Sequence, residues 1–347
     1  MTMVLLAVLF VITISHSASA LEPDEDKFSA ACEDSVSLNR LTRRPAPSDC
    51  RQRERTAETE VARAQIVNGE VAPDERYTAA IIYRGEDGKR HICSGVSVDA
   101  RHVLTAGHCA CGKSGSYSVS FKQKALNGNQ VNGAIEIEGV PILFDPLTCI
   151  RGARPGYDLA LIRLKGRLLD TDPQNFGYPA FALAADLQEQ LRSGTPLKVV
   201  GFGETETGGI ATRMKANVPI LTSDCFERPY NFYCASFLEM ILAQRTGNRG
   251  PRDTCGGDSG GPVFASMQVP LPACPSPGKP FRPEEKITQP QDVLVATTSR
   301  AAPFTHPLGV QHCGGGGVYT LIGRRSVHAW LEENRVNPQR CVIEIKK

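Results

Sequence analysis

An all-β fold is what this sequence predicts, and three features predict it. From Ile66 onward the apolar residues fall in short strand-like runs, at Ala79–Tyr83, Gly95–Val98, Leu159–Ile162, Leu197–Val200 and Val293–Ala296. Turns of Gly, Pro and Asn separate the runs, in a chain holding 32 Gly and 24 Pro. Runs of this length between such punctuation read as a sandwich or a barrel. The composition, 41% hydrophobic and 22% charged over 347 residues, is that of a soluble globular chain with room for one to three domains. A net charge of only +2 makes the scattered Lys and Arg a solvated surface and argues against nucleic acid as a partner.

Taken in order, residues 1–20 read as an export signal. Val4–Ile14 is mostly apolar, and Ala18-Ser-Ala20 follows as a small-x-small cleavage site. The run falls short of the roughly 20 apolar residues of a membrane span. No Lys or Arg precedes it, which leaves an uncleaved anchor as the alternative; the expectation is a secreted protein, extracellular or periplasmic, free of the membrane once the signal is removed. Residues 21–65 are polar and charge-dense without apolar periodicity, and Leu41–Ser48 and Arg51–Arg55 look like exposed, protease-accessible chain. They read as a prosegment, and residues 66–347 as the body.

Three stretches of the body carry chemistry. Leu104-Thr-Ala-Gly-His108-Cys109 offers an imidazole in a corner of small residues. Tyr157-Asp158-Leu-Ala-Leu-Ile-Arg-Leu164 places a carboxylate at the head of an apolar strand. Asp253-Thr-Cys-Gly-Gly-Asp258-Ser259-Gly-Gly-Pro262 supplies a hydroxyl, a glycine-rich turn and two more carboxylates. A serine hydroxyl is a poor nucleophile until a base takes its proton, and the base works only if a buried carboxylate holds its tautomer. His108, Asp158 and Ser259 are one residue of each type. The N–H groups of Gly257 and Ser259 can converge on a developing oxyanion.

The motifs, in their order, resemble the trypsin/chymotrypsin-like serine protease family. The matching pieces are Ile66-Val-Asn-Gly69, Thr105–Cys109, Asp158–Leu161, Gly201-Phe-Gly203, Gly256–Pro262 and Gly317-Val-Tyr-Thr320, spread from Ile66 to about Asn334. The chain order His, Asp, Ser is that of the chymotrypsin-type triad, and the reverse of the order that an α/β-hydrolase esterase requires. The resemblance implies two six-stranded antiparallel barrels with the site in the cleft between them. His108 and Asp158 would sit on the first and Ser259 on the second. It also implies disulfides Cys93–Cys109, Cys225–Cys234 and Cys255–Cys313. Cys32, Cys50, Cys111, Cys149, Cys274 and Cys341 have no obvious family equivalent. Cys109-Ala-Cys111 beside His108 and His91 is a weak zinc pattern, and the family pairing of Cys109 weakens it further.

The resemblance assigns further roles. Asp253 would form the floor of the specificity pocket, matched by a substrate Arg or Lys. Gly317 would line one wall. Ser299 would touch Asp158. Arg300 stands where an aromatic residue is common and Ala301 where glycine is common. A narrowed pocket and repulsion of neighbouring basic residues are the expected result, with weaker activity on small Arg/Lys substrates than trypsin shows. Cleavage before Ile66 would free an amine to pair with Asp258, yet Gln65 precedes Ile66 where relatives carry Arg or Lys. The expected partners are protein or peptide substrates, an activating protease and protein inhibitors. No organic cofactor is implied, and Phe121–Glu138, whose acidic residues are Glu136 and Glu138, shows no convincing carboxylate pair for calcium, so no metal is expected. A catalytically silent homologue acting as a binding or regulatory protein is the alternative, favoured by Gln65 and Arg300 and disfavoured by the complete triad and Gly257.

Two insertions depart from the family outline. Ser236–Arg252 borders the pocket and presents Arg245, Arg249 and Arg252 as self-cleavage points. The proline-rich Ser266–Asp292 is expected as an extended surface loop, not a strand. A helix is expected near Ser326–Asn334, where Val327, Trp330 and Leu331 fall at helical spacing for packing.

Overall fold

Strand Thr78–Arg84 is buried on both faces, which is why it reads as a continuous apolar run. Ala79 and Ile81 point into a core with Val103, Val119 and Ile162. Ala80 and Ile82, one residue out of phase, pack with Phe202 and Ala211. This computed structural model describes residues 66–336, apart from 67, 86, 113, 169–179, 182–190, 204–209, 245–251, 268–270, 273–285, 288–290 and 303–314. The segments read as signal and prosegment, together with Gln65, Cys32, Cys50, Cys274, Cys313, Cys341, Arg245 and Arg249, lie outside the described residues.

Two sheets form the body. Strands Pro196–Gly201, Met214–Thr222, Glu239–Leu242, Gly317–Leu321, Gln291–Ala301 and Pro262–Met267 pair in that order and return to the first, closing a six-stranded barrel. Val199, Val218, Met240, Leu242, Val263, Val295 and Tyr319 fill it. The other sheet runs Ile135–Glu136, Ser118–Ser120, Thr78–Arg84, Arg90–Ser97, His102–Thr105, Ala160–Arg163 and Ile142–Leu143. It curls into a half-barrel. Where a second closed barrel was expected, a single bridge between Ile137 and Leu164 joins its far sides. The strand at that edge, Ile135–Glu136, is only 2 residues long, too short to carry a closing ladder.

A third core lies between the sheets. Val96, Leu104 and Leu161 from one side meet Val200, Phe264 and Leu294 from the other, and Val327, Trp330 and Leu331 of the helix Arg325–Glu333 seal it. Arg213 crosses the same seam almost wholly buried, donating to the carbonyls of Glu75 and Phe121 at 2.7 and 3.1 Å. Burial lowers its pKa to about 10, with the Glu75 charge opposing that shift. The proline-rich insertion differs from the expected open loop, since Leu271–Pro272 pairs with Lys286–Ile287 in a short antiparallel ladder. Among the described residues no helix is long and apolar enough to cross a membrane.

Candidate active site

Strand pairing brings the imidazole and the first carboxylate together. Thr105 lies opposite Ala160 in the ladder, so the turn Gly107–Ala110 that follows one strand meets the residues that precede the other. Asp158, 1% exposed, accepts twice from His108: Oδ1 from the backbone N–H at 2.9 Å, and Oδ2 opposite Nδ1 at 2.9 Å. Ser299 Oγ donates to the same Oδ2 at 2.7 Å. Burial pushes the Asp158 carboxyl up, but the His108 and Ser299 bonds and the His108 charge outweigh it and hold the pKa below the usual carboxylate value. Nδ1 therefore faces a carboxylate, and the other ring nitrogen is left for chemistry in the cleft.

The Ser259 turn is fastened to the strands beneath His108. Ser94 donates its backbone N–H to the Ser259 carbonyl at 2.8 Å, and Gly260 donates to Thr298 at 2.7 Å. A Cβ on Gly260 would lie 2.1 Å from Thr105 Oγ1, and its φ of +80° is already left-handed. Only glycine lets the serine turn sit this close to the histidine strand. Gly257 has a φ of +92° and packs against Gly203. Its carbonyl accepts from Ser94 Oγ at 2.9 Å, and Ser94 Oγ in turn accepts the N–H of Phe202 at 2.9 Å. Ser94 thus secures both ends of the turn carrying Gly257 and Ser259. Sequence reasoning passed over it because a serine beside a strand cysteine carries no signal of its own.

The other two carboxylates are buried beneath this turn. Asp258 is fully buried and accepts from Gly203 N–H and Cys255 N–H, each at 2.9 Å. Burial raises its pKa from 3.8 to about 7; the two backbone donors oppose the rise and the charge of Asp253 adds to it. Ile66 is 1% exposed and packs in the closed barrel's core. Asp253, 1% exposed, accepts from Thr254 N–H at 2.7 Å and Gly316 N–H at 2.9 Å. Gly317 follows Gly316 and pairs with Ala301, one strand across, so the residues expected as floor and wall come together.

Arg300 differs from expectation. Its Nη1 and Nη2 donate to Oε1 and Oε2 of Glu239 at 2.6 and 2.9 Å, and Nη2 donates to the Tyr233 carbonyl at 3.1 Å. A guanidinium paired to a carboxylate in this two-bond geometry is largely neutralised, which removes the expected repulsion of basic residues. Glu239 carries no local signal, since it opens the apolar run Glu239–Leu242 and its partner lies 61 positions away.

Disulfides brace the site. Cys93–Cys109 and Cys225–Cys234 are present as expected. Cys255 is disulfide-bonded, and Cys313, its expected partner, lies outside the described residues. Cys111–Cys149 was not foreseen. It ties the turn after His108 to the helix Thr148–Arg151 on the approach to Asp158. Cys93, His108 and Cys109 are close enough to suggest a metal group, but both sulfurs are spent in a disulfide and offer no thiolate.

The chain is similar to known proteins. A family model described as Trypsin matches residues 66–276. Serine protease 56 of Mus musculus is 30% identical over 262 residues, covering 68% of this chain and 39% of the mouse protein. Phenoloxidase-activating factor 1 of Holotrichia diomphalia is 28% identical over 250 residues, covering 64% of this chain and 63% of that protein. The chain thus spans less than two thirds of either relative. The solved structure of HL collagenase aligns with a TM-score of 0.51 at 18% identity, covering 78% of this chain and 98% of that one; at that identity the likeness is one of fold.

Proposed function

The chain belongs to the trypsin-like serine protease family, and from that premise we propose that it is a secreted serine endopeptidase, made as a zymogen, that cleaves after Arg or Lys. The observation that carries this reading is the hydrogen-bonded series His108, Asp158, Ser299 beside the Ser259 turn. Ser259 Oγ attacks the scissile carbonyl while His108 takes its proton. Asp158 keeps the imidazole oriented and stabilises its charged form. The N–H groups of Gly257 and Ser259 receive the oxyanion. His108 then protonates the leaving amine, and water releases the acyl group from Ser259 by the same steps in reverse. Asp253 binds the substrate cation, with Gly317 leaving room for its stem. A relative named as an activating factor of phenoloxidase supports protein substrates, and a protein inhibitor filling the same cleft fits the same chemistry.

Activation follows from Asp258. A buried carboxylate without a cation is costly, and the free α-amine of Ile66 supplies one. The activator either accepts Gln65, or cuts after Arg63 with removal of Ala64 and Gln65. Cleavage of single-Arg and single-Lys peptides, with Ser259→Ala as the blank, tests the assignment. Arg or Lys at the cut is the expected result, and a preference for Phe or Leu would reject Asp253 as the floor. A silent homologue would fail to take a fluorophosphonate label at Ser259.

A further inference from the structure

Glu239 belongs to none of the triad motifs, yet its carboxylate grips both segments that hold Asp158. It is fully buried and accepts four hydrogen bonds. Oε1 takes the N–H of Gly156 at 2.8 Å and Nη1 of Arg300 at 2.6 Å. Oε2 takes the N–H of Ala235 at 2.8 Å and Nη2 of Arg300 at 2.9 Å. Gly156 stands two residues before Asp158. Arg300 follows Ser299, and its Nη1 lies 3.5 Å from the Ser299 Oγ that donates to Asp158. One side of the grip reaches Asp158 through its own chain, the other through its hydroxyl partner.

The charges around this carboxylate are unequal. Arg300 touches it from the strand Gln291–Ala301. Arg324, ahead of the C-terminal helix, also feels its field and donates to the Gly156 carbonyl. Tyr157 faces Arg324 and is covered by Arg154, which pairs with Asp145. Asp158 and His108 complete the group. With Glu239 gone, Arg300 and Arg324 would face Asp158 unopposed. A purely structural contact would need only donors and acceptors, whereas this one also sets the local charge balance.

We propose that Glu239 is a positioning residue for the triad, acting on His108 through Arg300, Ser299 and the Gly156–Asp158 segment. The proposal rests on reading His108, Asp158 and Ser259 as a proteolytic triad. Its test reads His108 directly, so that failure of either idea can be told apart. The His108 ring is titrated by NMR in the full protein and in Glu239→Gln, Arg300→Gln and the double variant, with kcat and KM measured alongside. In Glu239→Gln the uncovered arginines disfavour protonated His108, and its pKa falls by roughly 0.5–1 unit. In Arg300→Gln the unpaired carboxylate raises it by a similar amount. The double variant returns near the starting value. kcat for Glu239→Gln falls about 10-fold with KM little changed, as loss of a transition-state arrangement requires. Shifts of the same sign in the two single variants, or an unmoved His108 in Arg300→Gln, would overturn the proposal. Should Glu239→Gln fail to fold, the Arg300→Gln titration decides alone. Absence of peptide cleavage by the unaltered, processed protein would count against the protease reading, while the titration would still judge Glu239.

Discussion

Asp158 and Asp258 are two buried carboxylates in one site with opposite surroundings. Asp158 meets an imidazole and a hydroxyl, and its pKa is held below the ordinary value. Asp258 is fully buried, and burial, aided by the field of Asp253 and opposed by two backbone N–H groups, raises its pKa to about 7. The first environment is built for a charge and is complete within the described residues. The second is built for a charge too, with close glycines at 201 and 203 around the carboxylate, but the cation that would balance it is the one the proposed cleavage creates. On the proposed function, Asp158 serves the chemistry as the chain stands, and Asp258 makes that chemistry conditional.

Exchanging each for its amide separates them. Asp158→Asn leaves the fold in place and presents the wrong tautomer of His108, so kcat of the processed enzyme drops about 10⁴-fold. Asp258→Asn removes the proposed partner of the Ile66 amine; processed protein is expected to lose about 10³-fold in kcat through a disordered oxyanion site. The uncleaved Asp258→Asn protein, in contrast, melts higher than the unaltered chain at pH 8, since no charge remains to be buried. Steady-state kinetics and thermal melts read all three results. Equal melting of the two uncleaved proteins would show that Asp258 already has a cation.

Acid and base should act on the two residues in opposite senses. The folded pKa of Asp258 lies above its ordinary value, so its contribution to stability is fully present below about pH 4 and is lost as pH rises through about 7. The raised value corresponds to a loss on the order of 4 kcal/mol across that window in uncleaved protein. Asp158, with its depressed pKa, contributes stability above its ordinary value that is lost only as pH falls below it. Denaturant unfolding of uncleaved protein against Asp258→Asn, from pH 4 to 8, isolates the first slope. A flat difference across the window would contradict the reading.

The smallest effect concerns the frame around Asp158. Cys111–Cys149 closes a separation of 38 residues, so Cys149→Ser paired with Cys111→Ser costs about 3–4 kcal/mol of stability by loop entropy. Melting of the double variant under oxidising conditions measures it.

What could be read from the sequence was what is local. Strands such as Thr78–Arg84 and Gln291–Ala301 announce themselves by apolar runs between turns, and the helix Arg325–Glu333 by the spacing of Val327, Trp330 and Leu331. His108, Asp158, Ser259 and Asp253 sit in dense motifs, so each could be named before its neighbours in space were known. Contacts between distant segments carry no such signal. The Cys111–Cys149 pairing depends on how the turn after His108 meets the Thr148–Arg151 helix. Arg300 looked like a free charge because Glu239, its partner, stands at the head of an ordinary apolar strand. The half-barrel has no such signal either, because a 2-residue edge strand looks like loop in the sequence.

On the proposed function, Asp258 receives the amine of Ile66 before Ser259 becomes reactive. Labelling the active protein with a fluorophosphonate and sequencing the labelled species from its N-terminus tests this most directly. The expected result is label on Ser259 in a chain that begins at Ile66. Labelled protein that begins at Leu21, or an unlabelled chain that begins at Ile66, would contradict it.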